Sequence, residues 1–496
     1  MLILAPLYLA WTWTHSIGQL GGDGGAYLMM AQHYSPYTQH DLVYAEAATS
    51  SRFPPLYPML LAFSGGAESL PAAHLVTTAC LLLAFLALYA WALQTGLEVR
   101  GATLLVLLLA SLPGTWKAGL MVQSEFLYLG LSLAALGLID AGRAAPEPRT
   151  DIFRVAALAV GAAILTRTIG VTLLPALLLG ARRSPLRSQL INLLLAMLPL
   201  LLWKLAHRSP SDYTEVLRAL YGHGEVWKAL RQQLATELPA LVDGYVGNFM
   251  LGHALAPLAL LLGLLSLAAC LWRLLRLEPD AAYAVANLAV LAIWPFPEEA
   301  QRFVWVLLPV FFIQVTLLAR QVLSRNSSFV SVAALSAVVL AMTMPAVAEG
   351  AARYRAESDV PDGNTFVQWY GPDAADSRRD VSTQVMIINA LRAIHDAVPA
   401  NDCVVSIRPD LVNYYGARRS GFVPLNSVPD PDFLALLKSG GCHYIFALGS
   451  ANTRYPVPLH PLQRLRQGQA EVVYASTYKD ADDKEYALAV LVRLPD

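Results

Sequence analysis

Residues 70–94 read LPAAHLVTTACLLLAFLALYAWALQ, a stretch without a single Asp, Glu, Lys or Arg. A helix needs about 20 apolar residues to cross a hydrocarbon core of about 30 Å, so this stretch predicts a membrane-spanning helix. The pattern recurs along the chain, because 56% of the 496 residues are hydrophobic and only 14% are charged. An ordinary soluble chain is roughly 25% charged. The sequence therefore predicts an α-helical, polytopic membrane body rather than a set of soluble domains.

Hydropathy predicts about 11 transmembrane helices over residues 1–349, two of them short. The spans lie near 1–17, 70–94, 101–117, 124–141, 152–166, 168–181, 187–206, 251–272, 281–295, 302–320 and 328–348. The first span could be taken for a signal peptide, but it lacks a basic n-region and an A-x-A cleavage site. We therefore keep it as a span.

Scarce basic residues predict the orientation of these spans. With the N-terminus inside, every inside turn carries at least one of Arg100, Arg143, Arg149, Arg154, Arg182, Arg183, Arg187, Arg273, Arg276, Arg320 and Arg325. This is the positive-inside pattern. It places the loops 18–69 and 207–250 outside, together with the chain after the last span. Segment 152–181 then has both ends inside, which predicts a short-armed hairpin in a protein-lined cavity with Arg167 near its apex.

The chain changes character near residue 350. From there on 32 of 147 residues are charged, against 39 of the preceding 349. Apolar strands alternate with helical stretches, which predicts a soluble α/β domain over 350–496 on the outer side. Cys403 and Cys442 begin two of these strands, and both a disulfide and two unpaired packing cysteines fit the sequence. No G-x-G-x-x-G fingerprint is present, so we expect a substrate-binding or lid domain whose most charged loop contains Arg418 and Arg419.

The two outer loops contain further helical patterns. HSIGQLGGDGGAYLMMAQHY (15–34) turns on four glycines around Asp23, so a carboxylate stands at a helix start. A simple N-cap is the alternative interpretation. SSRFPPLYPMLLAFSGG (50–66) places Arg52 before an apolar helix of about ten residues, too short to span and typical of an interfacial helix. Loop 207–250 has apolar residues at helical spacing, which predicts amphipathic helices on the outer face.

These pieces resemble the membrane glycosyltransferases of the GT-C superfamily, in the branch of the protein O-mannosyltransferases and lipid A aminoarabinose transferases. The matching pieces are GGDGGAYLMMAQHY (21–34), RFPPLYPMLL (52–61), QSEFLYLGLSLAALGL (123–138), LTRTIGVTLLPALLL (165–179) and EEAQRFVWVLLPVFF (298–312). The resemblance covers roughly residues 1–350. It implies a polyprenyl- or dolichyl-phosphate sugar donor and a catalytic carboxylate in the first outer loop, which maps onto Asp23. Protein mannosyltransferases have an Asp-Glu pair where this chain has Asp23-Gly24, so the resemblance supports sugar transfer more strongly than a protein acceptor.

Sugar transfer from a lipid phosphate requires the same kinds of residue. A general base must take the acceptor's proton, and Asp23 is the candidate for an inverting transfer. The lipid phosphate that leaves needs cationic or hydrogen-bonding partners. The candidates near the outer boundary are Arg52, Lys117, Arg167 and Arg302. Snorkelling at the interface, or an ion pair with Glu298 or Glu299, is the alternative for Arg52 and Arg302.

Other residues are candidates for holding the acceptor or orienting the base: Glu125, Tyr27, Tyr57 and Glu46. Glu125 opens the fourth span after the outer turn and could orient Asp23, hold the acceptor or pair with Lys117. A helix-start carboxylate that is merely favoured by the helix dipole is equally compatible with the pattern.

A metal site has weak support. Asp41 and Glu46 share the first loop with Asp23 and could complete an oxygen-ligand site for a divalent cation. No HExxH, DxD or paired-His spacing points to a metal. We therefore expect no cofactor and keep a divalent metal as the alternative.

The favoured function is a glycosyltransferase that uses a polyprenyl-phosphate sugar, with membrane lipid around it and a glycan, lipid or protein as acceptor. The net charge of −1 argues against nucleic acid as a partner. A polymerase or ligase with a lipid-pyrophosphate donor, a lipid or solute transporter, and a catalytically silent relative remain alternatives. A transporter is disfavoured because the sequence shows no internal repeat. Ala, Leu and Arg richness favours a bacterial plasma membrane with the site outside, although an endoplasmic reticulum enzyme would have the same sidedness.

Overall fold

The computed structural model describes residues 3–17, 23–37, 53–147, 149–206, 226–249, 255–294, 297–322, 328–361, 374–406, 408–421, 441–448, 470–479 and 485–494. Its helices α1 to α18 are, in chain order, Leu4–Thr12, Gly24–Tyr34, Leu56–Phe63, Leu70–Gln94, Val99–Ser111, Pro113–Gly119, Glu125–Ala144, Thr150–Thr166, Leu174–Gly180, Leu186–Ala206, Val226–Gly247, Ala256–Leu274, Pro279–Ala292, Ala300–Trp305, Leu308–Val322, Ser328–Ser358, Ala374–Ala397 and Pro409–Gly416. Strands β1 to β5 are Cys403–Ser406, Arg419–Gly421, Cys442–Leu448, Glu471–Lys479 and Glu485–Arg493. Short 3₁₀ helices cover Thr168–Leu173, Ala181–Arg183 and Pro297–Glu299.

Contacts within the chain group it into two compact units. The first unit consists of Met1–Trp13, Arg52–Leu60 and Ala73–Ala352, and the second of Thr14–Ser51, Leu61–Ala72 and Arg353–Asp496. The longest segment of the second unit begins at Arg353, and the predicted division of the chain at residue 349 stays a prediction. Helix α2, which follows Asp23, groups with the C-terminal sheet and not with the long apolar helices.

The first unit contains the apolar helices. Within the described ranges, α4, α7, α10, α12 and α16 are each long and apolar enough to cross a membrane, and the pair α5–α6, bent by 63°, would make a sixth span. Helices α13 and α15 are apolar but shorter. On α10 the side chains of Leu190, Leu194 and Leu202 are 57%, 55% and 56% exposed, as expected for a helix that faces lipid. The chain is an integral membrane protein, while the number of 11 spans stays a prediction.

Small residues let these helices approach closely. A Cβ atom at Gly161 on α8 would lie 3.1 Å from the carbonyl oxygen of Ala196 on α10. At Gly130 on α7 it would lie 3.4 Å from the backbone of Ala84 on α4. Helices in lipid gain little from the hydrophobic effect and associate through such close packing.

A polar network in the core fixes the segment after Arg167. The hydroxyls of Tyr128 on α7 and Tyr283 on α13 lie 3.2 Å apart. Asn287 Nδ2 donates to the Tyr128 hydroxyl at 3.4 Å and to Thr172 Oγ1 at 3.3 Å. Thr172 belongs to the 3₁₀ helix that returns from Arg167, so α7, α13 and the hairpin are held together. The predicted short-armed hairpin is present as α8, Arg167, this 3₁₀ helix and α9.

The second unit has a mixed five-stranded sheet of order β2-β1-β3-β5-β4. β1 pairs in parallel with β2 and β3, whereas β5 pairs antiparallel with β3 and β4. Cys403 and Cys442 are opposite each other on β1 and β3 and form a disulfide, with a Cα–Cα distance of 4.5 Å. The α/β character predicted for this region is therefore present. The sequence also predicts a helical stretch at FLALLKSG (433–440), which lies outside the described residues.

Residues 354–380 are a polar stretch, which predicts a linker, and this prediction is too long at both ends. Helix α16 continues through Ser358, and α17 begins at Ala374. Residues 351–358 read AARYRAES, and Ala, Arg and Glu are among the better helix formers. The helix therefore continues after the apolar run that marks the predicted span has ended.

Candidate active site

Glu125 is the first residue of α7 and is almost fully buried, with a side chain 3% exposed. It follows a short connection from α6, which begins at Pro113 after the 63° bend. A carboxylate in the first turn of a helix interacts favourably with the helix dipole. A buried carboxylate also needs positive partners, because an isolated charge in a low-dielectric interior is costly.

Arg167 is the first of those partners. It stands between α8 and the following 3₁₀ helix with extended backbone angles, φ −148° and ψ 132°. Gly170 makes this sharp return possible, because a Cβ atom there would lie 2.7 Å from the backbone nitrogen of Ile164. The Arg167 guanidinium forms an ion pair with Glu125 Oε1, and its NH1 group donates to Ser124 Oγ at 3.4 Å.

Arg302 is the second partner. It lies on α14, where its Nε is 2.6 Å from Glu299 Oε2 and its NH1 is 3.4 Å from Glu125 Oε1. The side chains of Arg167 and Arg302 are 12% and 14% exposed. Each guanidinium carbon lies 5.0 Å from the centroid of the Phe303 ring, within the range of a cation–π contact.

Gln123 completes the carboxylate's surroundings. With its amide oriented so that both atoms are satisfied, its nitrogen donates to Glu125 Oε2 at 3.3 Å and its oxygen accepts from Arg302 NH1 at 3.2 Å. We call Glu125, Arg167, Arg302 and Glu299 the carboxylate–arginine cluster. It contains two carboxylates and two guanidinium groups, so the formal charges of these four side chains add up to zero.

Lys117 connects to this cluster through a neighbouring residue. Its Nζ donates to Gln301 Oε1 at 3.2 Å. Gln301 Nε2 donates in turn to the carbonyl of Gly247, and Asn248 Nδ2 donates to the carbonyl of Gln301, at 2.7 and 3.0 Å. Since Gln301 immediately precedes Arg302, these bonds tie α14 to α6 and α11 and fix the direction in which Arg302 leaves its helix.

Asp23 belongs to the second unit. It occupies the N-cap position of α2 with φ −90° and ψ 0°, and its side chain makes no capping hydrogen bond. The simple N-cap interpretation is therefore wrong. The backbone N–H of Tyr27 donates to the carbonyl of Asp23 at 3.0 Å, and the Tyr27 side chain is buried.

Helix α2 is held against α18 within the second unit. A Cβ atom at Gly25 would lie only 2.9 Å from Asp410 Oδ2. Arg408 binds that same carboxylate with two donors, Nε at 3.0 Å and NH2 at 2.7 Å. The helix that follows Asp23 therefore rests on a fixed part of the C-terminal domain.

Tyr57, in the first unit, is fully buried with its hydroxyl 2.8 Å from Thr77 Oγ1. Arg52, Asp41 and Glu46 lie outside the described residues. Among the described residues no group of three or more His, Cys, Asp or Glu side chains is arranged to hold a metal ion.

Sequence reasoning missed two residues that contact the cluster and the pairing within it. Gln123 and Phe303 are uncharged, so a search for rare charges does not find them. Glu299 was named only as a pairing alternative, although it precedes Arg302 by three residues, a spacing that brings side chains together on helical turns.

No family model matches this chain, and no curated protein sequence matches it. Among solved structures, ArnT from Cupriavidus metallidurans bound to undecaprenyl phosphate is similar over 99% of this chain and 96% of that one, with 14% identity and a TM-score of 0.50. The Archaeoglobus fulgidus oligosaccharyltransferase tethered with an acceptor peptide containing the NVT sequon is similar over 98% of this chain and 73% of that one, with 11% identity and a TM-score of 0.52. Both are glycosyltransferases of one superfamily, and likeness at these identities is a likeness of fold. This chain therefore has the fold of the GT-C membrane glycosyltransferases.

Proposed function

We propose that this protein is a membrane glycosyltransferase that transfers a sugar from a polyprenyl-phosphate carrier to an acceptor on the outer side of the membrane. The observation that carries the proposal is the buried carboxylate–arginine cluster in a chain with the GT-C fold. Arginine is well suited to phosphate because its planar guanidinium donates hydrogen bonds to two oxygens at once. The similarity to ArnT bound to undecaprenyl phosphate supports the same ligand class.

Arg167 and Arg302 act on the donor phosphate in this proposal. When the bond from the sugar's anomeric carbon to the phosphate oxygen breaks, negative charge grows on the leaving phosphate. Guanidinium groups held in advance at a fixed position lower the energy of that transition state without having to reorganise. Glu125 and Glu299 hold the two arginines in position before the donor arrives, while Lys117 contacts Gln301, the residue next to Arg302 on α14.

Asp23 acts as the general base. Its carboxylate takes the proton of the acceptor's nucleophilic group as that group forms the new bond to the anomeric carbon. Attack opposite the departing phosphate inverts the configuration of that carbon, and the polyprenyl phosphate leaves with the electron pair of the broken bond. Tyr27, Tyr57 and Glu46 remain candidates for the acceptor side.

The test uses purified full-length protein in lipid nanodiscs with a set of polyprenyl-phosphate sugars. Mass spectrometry identifies the product formed from glycan, lipid and peptide acceptors. Asp23→Asn is expected to abolish transfer while the protein stays folded, and near-normal turnover would remove Asp23 from the mechanism. Arg302→Ala is expected to impair donor use more than acceptor use. An unchanged KM for the donor and an unchanged kcat would contradict its role at the phosphate.

A lipid-linked oligosaccharide donor is the second candidate. The similarity to an oligosaccharyltransferase supports it, because its TM-score is nearly equal to that of ArnT bound to undecaprenyl phosphate. The product mass separates the two, since a single sugar residue and a whole oligosaccharide differ in the mass they add to the acceptor.

A further inference from the structure

A cavity lies at the end of the first unit that is remote from Glu125. On α7 the stretch from Glu125 to Arg143 is about 27 Å long at ~1.5 Å per residue. That length is close to the ~30 Å hydrocarbon thickness of a bilayer. The cavity has a volume of about 400 Å³ and is lined by residues at the ends of α4, α7, α9, α12 and α15. Its volume falls within the range of roughly 300–1,000 Å³ that small-molecule sites occupy.

Positive charge dominates the lining. The charged residues are Arg143, Arg182, Arg183, Arg273, Asp140 and Glu278. With every group ionised the lining has a net charge of +2, from four arginines and two acids. Asp280, which pairs with Arg273 without lining the cavity, still leaves an excess of +1 when it is included.

Two of the arginines form the fixed wall of the cavity. Arg273 binds Asp280 with two donors, Nε at 2.8 Å and NH2 at 2.6 Å. Arg143 NH1 donates to Glu278 Oε2 at 2.9 Å. Both guanidinium groups are largely buried, with side chains 12% and 25% exposed, so their positions are set before any ligand arrives.

The other two arginines carry the uncompensated charge. Arg182 and Arg183 form the end of the 3₁₀ helix after α9, and both are exposed. No acidic side chain in the described ranges pairs with either of them. They therefore present two guanidinium groups at the cavity whose charge is available to an anion.

The floor of the cavity is apolar. Phe153 is 1% exposed and packs beneath Gly142, where a Cβ atom would lie 3.0 Å from the ring. At Gly180 a Cβ atom would lie 2.3 Å from Ile139 Cγ2. Because neither glycine has a side chain, α7, α8 and α9 close together below the arginines. A polar rim above an apolar floor fits a molecule that carries an anionic group on a nonpolar body.

We propose that this cavity binds a phosphate group of net negative charge, presented by the headgroup of an anionic phospholipid. Basic pockets between membrane helices recognise such headgroups. The position at the end of spanning helices and the apolar floor favour a lipid, while a soluble phosphate ester would offer the same anionic chemistry. The four arginines are among those that the charge pattern predicts on the inner side. The site lies the length of α7 from the carboxylate–arginine cluster and does not depend on the proposed sugar transfer.

The experiment compares lipid retention by the full-length protein. Wild type, Arg182→Gln/Arg183→Gln and Arg182→Lys/Arg183→Lys are purified from nanodiscs that contain phosphatidylglycerol and phosphatidylcholine. Bound lipid is then quantified by native mass spectrometry. Arg154→Gln/Arg187→Gln is the matched control, because it removes the same charge from two exposed arginines that do not line the cavity. Size-exclusion chromatography checks that every variant is folded.

We expect wild type and the control to retain phosphatidylglycerol in preference to phosphatidylcholine. The Gln pair should bind phosphatidylglycerol about 30-fold more weakly, since each Arg near a membrane surface contributes ~1 kcal/mol and ~1.4 kcal/mol is tenfold. The Lys pair should retain most of the preference. Displacement of the lipid by millimolar glycerol 3-phosphate or inorganic phosphate would support the anion site and assign it to a soluble ligand. Equal retention by the Gln pair and the control would overturn the proposal.

Discussion

Glu125 contacts two arginines, Arg167 and Arg302. Variants of Glu125 and Arg167 can therefore separate the effect of these ion pairs on stability from the effect of Arg167 on catalysis. Replacing Glu125 by Gln removes one negative charge and leaves Arg167, Arg302 and Glu299, so the buried cluster changes from neutral to a net charge of +1. Removing one partner of a buried pair typically costs about 3–5 kcal/mol, because the other charge stays buried without compensation. We therefore expect Glu125→Gln and Arg167→Gln each to lower the free energy of unfolding by about 3 kcal/mol.

The double variant restores neutrality. It retains Arg302 with Glu299, whose atoms lie 2.6 Å apart, and so leaves one intact pair. Residues within one ion-pair network usually couple by about 0.5–3 kcal/mol. We expect the double variant to lose about 4 kcal/mol, rather than the ~6 kcal/mol that two independent losses would give. Unfolding is followed by tryptophan fluorescence in mixed micelles as the fraction of denaturing detergent rises.

The rate of sugar transfer should not follow the free energy of unfolding in these variants. If Arg167 stabilises the leaving phosphate, its loss should reduce kcat by roughly 10²–10³, as for other fixed donors to a developing anion. The double variant should remain as slow as Arg167→Gln, although it regains stability. Leu133→Ala is the control, because it destabilises the same helix from a fully buried position by about 2–5 kcal/mol without touching the cluster. A double variant with wild-type turnover, or a coupling energy below about 0.5 kcal/mol, would refute the reasoning.

Three further predictions concern single features. Glu299→Gln should strengthen binding of polyprenyl phosphate, measured by native mass spectrometry, because it leaves the cluster with one excess positive charge. Cys403→Ser/Cys442→Ser should lower the free energy of unfolding of the C-terminal domain by about 4 kcal/mol, given a sequence separation of 39; an unchanged unfolding transition would contradict this. Gly25→Val should destabilise the same domain by about 1–3 kcal/mol through overpacking against Asp410, and the Asp410→Gly background should relieve most of that loss.

The helices of the first unit were predictable because lipid imposes a simple rule. A backbone in hydrocarbon must satisfy its own hydrogen bonds, so a long apolar stretch becomes a helix. The span predicted at 70–94 is the helix Leu70–Gln94, and the span predicted at 187–206 is Leu186–Ala206. The bend between α5 and α6 was not predicted, since the sequence analysis expected a single span at 101–117. The bend occurs at Pro113, which cannot continue the hydrogen-bond ladder of a helix.

The cluster was predictable in its members and not in its arrangement. Glu125, Arg167 and Arg302 each stood out as a rare charge at a membrane boundary. One carboxylate oxygen contacts both guanidinium groups, and this contact depends on how α7, α8 and α14 pack. Glu125 and Arg302 are 177 residues apart, so no local sequence pattern indicates that they meet. The structure also groups α2 with the C-terminal sheet, a relation between distant parts of the chain that hydropathy does not express.

The balance of charge constrains how the cluster can accept a donor. Two arginines already neutralised by two carboxylates offer little net attraction to a phosphate. A donor therefore has to displace one carboxylate or bring a proton with it. Glu299 is the more exposed of the two, with a side chain 15% exposed against 3% for Glu125. Its displacement would release Arg302 Nε toward the phosphate, while Glu125 keeps both arginines in place. Within the cluster each arginine is paired with an acid, and we propose that the acid that a donor can displace, Glu299, marks where the substrate enters.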